Sequence, residues 1–240
     1  MSQLILHRGG WEATKADLAS VPVPEPTDSY VPVPYGRFVE EVELHVPRFG
    51  LTIVSEQFAL ARGGQQMFGV LTCTNGHGSG EYGLALAIRN SYDRSLSAEI
   101  AAGGHHVFCC DNLAFSGEVK ASRKHTVHVF RDLPDLIYRM LALVSTMQER
   151  FDAEIAAMKE RALGPLEADH LIVEAIRSHA LPASQLPKVL EAWETPRYEA
   201  FAPRNAWSLY NAFTEVAKSR SPRQQIEDTL RLSRVFRHAL

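Results

Sequence analysis

The chain has 240 residues, 45% hydrophobic and 22% charged, enough apolar material to bury a sizeable core at the upper end of single-domain size. Its formal charge of −3 and pI near 6.4 exclude a protein that coats nucleic acid by bulk positive charge, and restrict any such binding to local basic faces. The run Leu4-Ile5-Leu6 is too short for a secretory core and no long uninterrupted apolar window exists, so neither export nor membrane spanning is expected, and the cytoplasm is the expected location.

In chain order, residues 1–50 read as an N-terminal segment with an extended arm, because Pro22, Pro24, Pro26, Pro32 and Pro34 fix φ repeatedly and remove backbone donors. Such an arm is expected to run over the surface as a spacer or an edge contact. Residues 51–132 form the β-rich part. Short runs at Leu51–Val54, Gln66–Leu71, Gly83–Ile88, Leu96–Ile100 and Val107–Cys110 are separated by turn-rich pieces, and Thr126–Phe130 is expected to close the sheet. Connections this short fit an antiparallel meander.

Residues 133–240 read as the helical half of the same domain. Leu133, Ile137, Met140, Val144, Met147, Phe151, Ile155 and Met158 recur by threes and fours, predicting one long amphipathic helix capped by Asp132 and ended by Gly164-Pro165. That stripe packs on the chain's own sheet or, as the alternative, joins copies of the chain in a homo-oligomer. Shorter helices follow: one capped by Ser184, one over Asn205–Lys218, and a last one opened by Ser221-Pro222-Arg223-Gln224. Between Pro196 and Leu240 eight arginines and lysines face four acids, so positive charge collects at the C-terminal end. The fold class expected is therefore α+β, an antiparallel β-meander in the N-terminal half packed against a long helix and a C-terminal helical half.

Three polar groupings could carry chemistry. The densest is His105-His106-Val107-Phe108-Cys109-Cys110-Asp111-Asn112, with His125, His128, Cys73 and His77 elsewhere. Strand alternation places His106 with Cys110 on one face and His105 with Cys109 on the other, so no face holds four ligands, and no C-x-x-C or H-x-x-x-H spacing supports zinc. No cofactor is expected. His106, Cys110 and His125 are the weak candidates for a divalent metal. A Cys110 thiolate with His125 as base is a further option, without a helix start to activate it. The remaining grouping is Arg89 to Ser95 with Lys120, Arg123, Lys124 and His125. It reads as a hairpin turn of Asn, Ser and Asp, or as cations for phosphates with Tyr92 for base stacking. Gly63-Gly64 and Gly76 to Gly80 lack the spacing of a phosphate cradle.

Five stretches, Asp28–Pro34, Arg89–Ser95, Val107–Leu113, Arg123–Thr126 and Trp207–Glu215, together resemble the phage- and plasmid-associated DUF932 family, in order and spacing across most of the chain. The resemblance implies a setting on mobile elements beside DNA-processing genes and carries no activity. It singles out Arg89, Asn90, Asp93, Asp111, Asn112, His125 and Asn211, and leaves His105, His106 and His128 outside the pattern.

The leading expectation is a non-enzymatic accessory protein of mobile-element DNA metabolism. It would bind single-stranded DNA or promote annealing through Arg89, Tyr92, Arg94, Lys120, Arg123 and Lys124. The alternatives are an enzyme, with or without a metal, whose site is at Asp93, Asp111, Asn112 and His125, and an interaction or inhibitory factor against a host or rival-element system.

Overall fold

The computed structural model describes residues 10–75, 82–107, 112–220 and 222–239. Six strands form one antiparallel sheet in sequence order: β1 (Trp11–Ala13), β2 (Thr52–Ala61), β3 (Gln66–Thr74), β4 (Tyr82–Ser91), β5 (Ala98–Val107) and β6 (Asn112–Arg123). A short helix α1 (Lys15–Ser20) follows β1, and α2 (Tyr35–His45) precedes β2. The expected α+β class and meander are thus observed.

One face of the sheet is set by parity. Leu84, Leu86 and Ile88 of β4 lie in register with Cys73, Leu71 and Gly69 of β3 and, for Leu86 and Ile88, with Ala102 and Ile100 of β5. This face buries Phe58, Leu60, Met67 and Leu71 against Tyr35, Phe38 and Val42 of α2 and against the start of α3 (Val129–Glu160). Gly69 sits there because nothing larger fits. A Cβ at that position would come within 2.8 Å of both Ile88 and Phe58 side chains. Gly69→Ala is expected to destabilise by about 1–3 kcal/mol through overpacking, measured as a lower urea midpoint at unchanged slope.

The β2–β3 turn is made by Arg62, Gly63 and Gly64, all at positive φ (51°, 64° and 87°), which accounts for the glycine pair without any phosphate.

Two expectations about strands need correction. Thr126–Phe130 is not a strand. Val129 N–H donates to Thr126 O at 2.9 Å and Asp132 N–H to His128 O at 3.1 Å, so the segment is a turn running into α3. The spacing Val129, Leu133, Ile137 continues the helical stripe one step earlier than Leu133. The sheet instead ends on β6, whose alanines, Ser116 and Gly117 dilute its strand signal. Likewise, the expected break between Leu96–Ile100 and Val107 is absent, because Ala98–Val107 is one strand; Phe108–Cys110 lie outside the described residues.

Helix α3 spans 32 residues, about 48 Å at 1.5 Å per residue. Asp132 is in its first turn, with His128 at the cap position, and Pro134 lies inside the helix. The helix stops at Glu160, and Gly164-Pro165 starts the next one, α4 (Pro165–Arg177), where Glu167 accepts from Gly164 N–H at 2.8 Å. Leu133, Ile137, Met140 and Val144 are buried in the sheet core, whereas Ile155 and Met158 belong to a second core. The described part of the stripe is therefore buried within the chain.

The second core gathers α4, α5 (Leu186–Glu194), α6 (Ala206–Ala217) and α7 (Pro222–Ala239) around Trp207, Tyr210, Phe213 and Phe236. Asn205 caps α6, its side chain accepting from Ser208 N–H at 2.9 Å, and α7 packs along β6. Ser184 lies in a single 3-10 turn, with Gln185 at the cap position of α5.

Candidate functional site

A polar residue at a core-facing strand position must find partners. Asn90 continues the Leu84-Leu86-Ile88 parity of β4 and is 0% exposed. Its amide donates to Val33 O at 2.8 Å, and its Oδ1 accepts from Ser91 N–H at 2.8 Å and from His125 Nε2 at 2.7 Å. Because Oδ1 only accepts, His125 carries its proton on Nε2. Burial lowers the His125 pKa by disfavouring the imidazolium.

The same junction ties down the proline arm. Val31 N–H donates to His125 O at 3.0 Å, Tyr30 OH to Tyr92 O at 3.3 Å, and Tyr35 N–H to the Tyr92 hydroxyl at 3.1 Å. Tyr35 and Tyr92 stack at 4.0 Å with rings 3° from parallel, and burial drives the Tyr35 hydroxyl pKa upward. The arm is therefore no surface spacer at its C-terminal end: Tyr30 and Val33 are buried.

The turn after β4 is built on Asp93. Partial burial works against its charge. Hydrogen bonds from Ser95 and Gln66 outweigh that and hold the carboxyl below the usual range, with Ser95 N–H at 2.9 Å and Gln66 Nε2 at 3.1 Å. Arg94, at φ 63°, lays its guanidinium 4.4 Å from the Tyr30 ring centroid.

The residues expected to bind nucleic acid fare differently from one another. Tyr92 is 4% exposed and stacked on Tyr35, so it offers no face to a base. Arg89 faces Glu99 directly across the β4–β5 ladder and pairs with it at 2.8 Å. Arg123 pairs with Asp132, which Arg131 also holds at 2.8 Å. Arg94 and Lys124 remain exposed, and Lys120 is placed by its backbone opposite Ala101.

Of the polar set expected of an enzyme, the described backbone sets Asn112 apart from Asp93 and His125. Asp93 is in the β4–β5 turn and His125 in the junction, whereas Asn112 pairs with Val107, which pairs with Tyr82 at the other end of β4. Arg89 is seven residue steps along the strand from Tyr82, about 23 Å. Asp111 and Cys110 lie outside the described residues, and the backbone of His106 pairs with Gly83 and Leu113. Among the described residues no group of three His, Cys, Asp or Glu side chains is placed to hold a metal ion. Cys73 is fully buried, and desolvation pushes its thiol up to about 12, the opposite of an activated nucleophile.

A different surface is cationic. Between α4 and α7 lies a cleft of about 950 Å³ lined by Arg161, His170, Arg231, Arg234 and His238. Its two carboxylates are engaged, Glu167 in capping α4 and Glu174 with Arg177 at 2.9 Å. Arg231 donates to His179 O at 3.1 Å and stands 3.9 Å from Asp228. Arg234 has no carboxylate partner among the described residues, and the buried Nε of Arg161 has no hydrogen-bond partner there. Leu166 on the cleft wall is 85% exposed. The C-terminal excess of positive charge signalled half of this cleft. Arg161 and His170, from the acidic stretch before it, were hidden.

The sheet, the two cores and the arm junction define a chain of α+β architecture in which Arg89, Asn90, Asp93, His125 and Asn211 each have a partner within the fold. A search of curated proteins and one of solved structures returned no match. The family model described as "Domain of unknown function (DUF932)" matches residues 25–236, and the chain belongs to that family. Among the described residues no helix is long and apolar enough to cross a membrane.

Proposed function

We propose that this chain is a non-enzymatic accessory protein of mobile-element DNA metabolism, acting in the cytoplasm, that binds single-stranded nucleic acid through the cleft between α4 and α7. The observation that supports this reading is the charge state of that cleft. Arg161 and Arg234 line it without a carboxylate partner among the described residues, beside Arg231 and two histidines, while both of its carboxylates are already engaged. Such a groove tracks a phosphate backbone, and the exposed Leu166 offers an apolar surface to unstacked bases. The basic hairpin read from the sequence contributes less, because Arg89, Tyr92 and Arg123 are occupied within the fold. The family resemblance supplies the mobile-element setting.

The test is binding of a labelled single-stranded oligonucleotide followed across salt concentrations. Contact by three arginines gives a slope of log K against log salt near about −2 for a single strand. Arg161→Gln with Arg234→Glu is expected to reduce that slope by about 1 or more and to weaken binding at low salt, with the melting temperature unchanged. Absence of binding at low salt, or full binding by the double variant, would overturn the reading.

A further inference from the structure

A second cavity, of about 350 Å³, lies between α5 and α6 and is bounded at one end by residues 196–201. It shares no residue with the cleft between α4 and α7. Ser208 and Asn211 line it from α6, Tyr198 from the connecting segment, and Lys188 and Arg197 bring positive charge.

Ser208 is the unusual member. It is 2% exposed, and its hydroxyl has no hydrogen-bond partner among the described residues. Its backbone N–H is already taken by the Asn205 cap. Hydroxyls elsewhere in the fold bond a carbonyl one turn back, as those of Ser178 at the end of α4 and Thr229 in α7 do. Asn211, one turn further on, is satisfied, donating to Trp207 O at 2.9 Å with Thr214 Oγ1 3.4 Å from its Oδ1. Among the polar residues that line this cavity from α6, Ser208 is thus the one whose buried hydroxyl has no partner among the described residues.

The space beside it is too large for one water. At roughly 30 Å³ per molecule the cavity would take on the order of ten. Its charge is also uneven. Glu215 is held by Lys218 at 2.6 Å, whereas Lys188 and Arg197 have no carboxylate partner among the described residues, opposed by Glu191 alone. Arg197 and Lys218 stand 5.6 Å and 5.9 Å from the centroid of the Tyr198 ring, so an aromatic surface lies beside the cations.

We infer that this cavity binds a nucleoside monophosphate. Arg197 and Lys188 take the phosphate, Tyr198 offers its ring to the base, and the Ser208 hydroxyl bonds a polar atom of the base or sugar. The size fits, since small-molecule sites begin near about 300 Å³. The assignment stands on residues separate from the cleft and does not depend on it.

The experiment is calorimetric titration of the full chain with the ribo- and deoxyribonucleoside 5′-monophosphates, with inorganic phosphate as control. A short 5′-phosphorylated oligonucleotide separates a strand end from a free nucleotide as the source. At least one nucleotide or the oligonucleotide end is expected to bind at least about tenfold more tightly than inorganic phosphate, and Arg197→Ala to weaken it by about tenfold or more. Ser208→Ala removes a hydroxyl that bonds nothing among the described residues, so it should leave the melting temperature unchanged while weakening nucleotide binding. Arg234→Glu should leave nucleotide binding intact, which keeps failure here distinct from failure of the cleft. No binding at millimolar nucleotide, equal binding of inorganic phosphate, or binding that survives both pocket substitutions overturns the inference.

Discussion

Asn90→Ala is expected to cost about 3 kcal/mol or more, seen as a fall of roughly 6–12 °C in the melting temperature. The substitution does more than remove one side chain's bonds. Val33 O and His125 Nε2–H, which now meet at Asn90, would remain in a buried environment without their partner. Orphaned groups of this kind carry their full desolvation cost, about 1–3 kcal/mol each. Because Val33 belongs to the arm, the loss should also appear as faster proteolysis within residues 21–34, ahead of global unfolding. A melting temperature within 2 °C of the wild type, by the same order of estimate under about 1 kcal/mol, would show that the junction contributes little.

The second expected result concerns acid. His125 titrates at a lower pH in the folded chain than in the unfolded one, because burial disfavours its imidazolium. Below about pH 6.5, the ordinary histidine value, the unfolded chain takes up a proton that the folded chain resists. Stability contributed by this residue is therefore fully present above that pH and is lost as pH falls towards the folded pKa, with a slope approaching about 1.4 kcal/mol per pH unit. Carboxylates obscure the lower end of this window. Asp93 and Asp132 titrate below their ordinary values, and Glu43, raised first by burial, titrates above its own. The clean measurement is the difference between the wild type and His125→Gln in urea stability from pH 8 to pH 5. That difference should shrink as pH falls, and a constant difference would rule out a neutral buried imidazole.

How far the sequence disclosed this arrangement varies with the physics of each part. Alternation found β2 to β5, because one face of each must meet α2 and α3. It missed β6, where alanine, serine and glycine carry little strand preference, and it misplaced Val129 and Phe130, whose β-favouring side chains in fact belong to the first turn of α3. Proline content revealed an extended arm but not that Tyr30 and Val33 would be buried, since burial depends on the distant Tyr92 and Asn90. One clue was present. Asn90 stands at a core-facing parity after Leu84, Leu86 and Ile88, a position where an amide has to be answered. Which residue answers it, His125 from 35 positions later, has no local signature. The cations show the reverse problem: composition counted Arg89 and Arg123 as available, while strand register and helix start had assigned them to Glu99 and Asp132.

The way the arm is held also bears on the order in which the chain can acquire its structure. The hairpins β2–β3, β3–β4 and β4–β5 join neighbours in sequence and can form as they leave the ribosome. The arm cannot. Tyr30 waits for Tyr92, 62 residues on, Val33 for Asn90, 57 residues on, and Val31 for His125, which is later still. Residues 21–34 are synthesised early and secured late. During that interval a nascent chain carries Tyr30, Val33 and Tyr35 with no place yet to bury them, and the closing of the arm over Asn90 becomes a slow, long-range step that completes the sheet core.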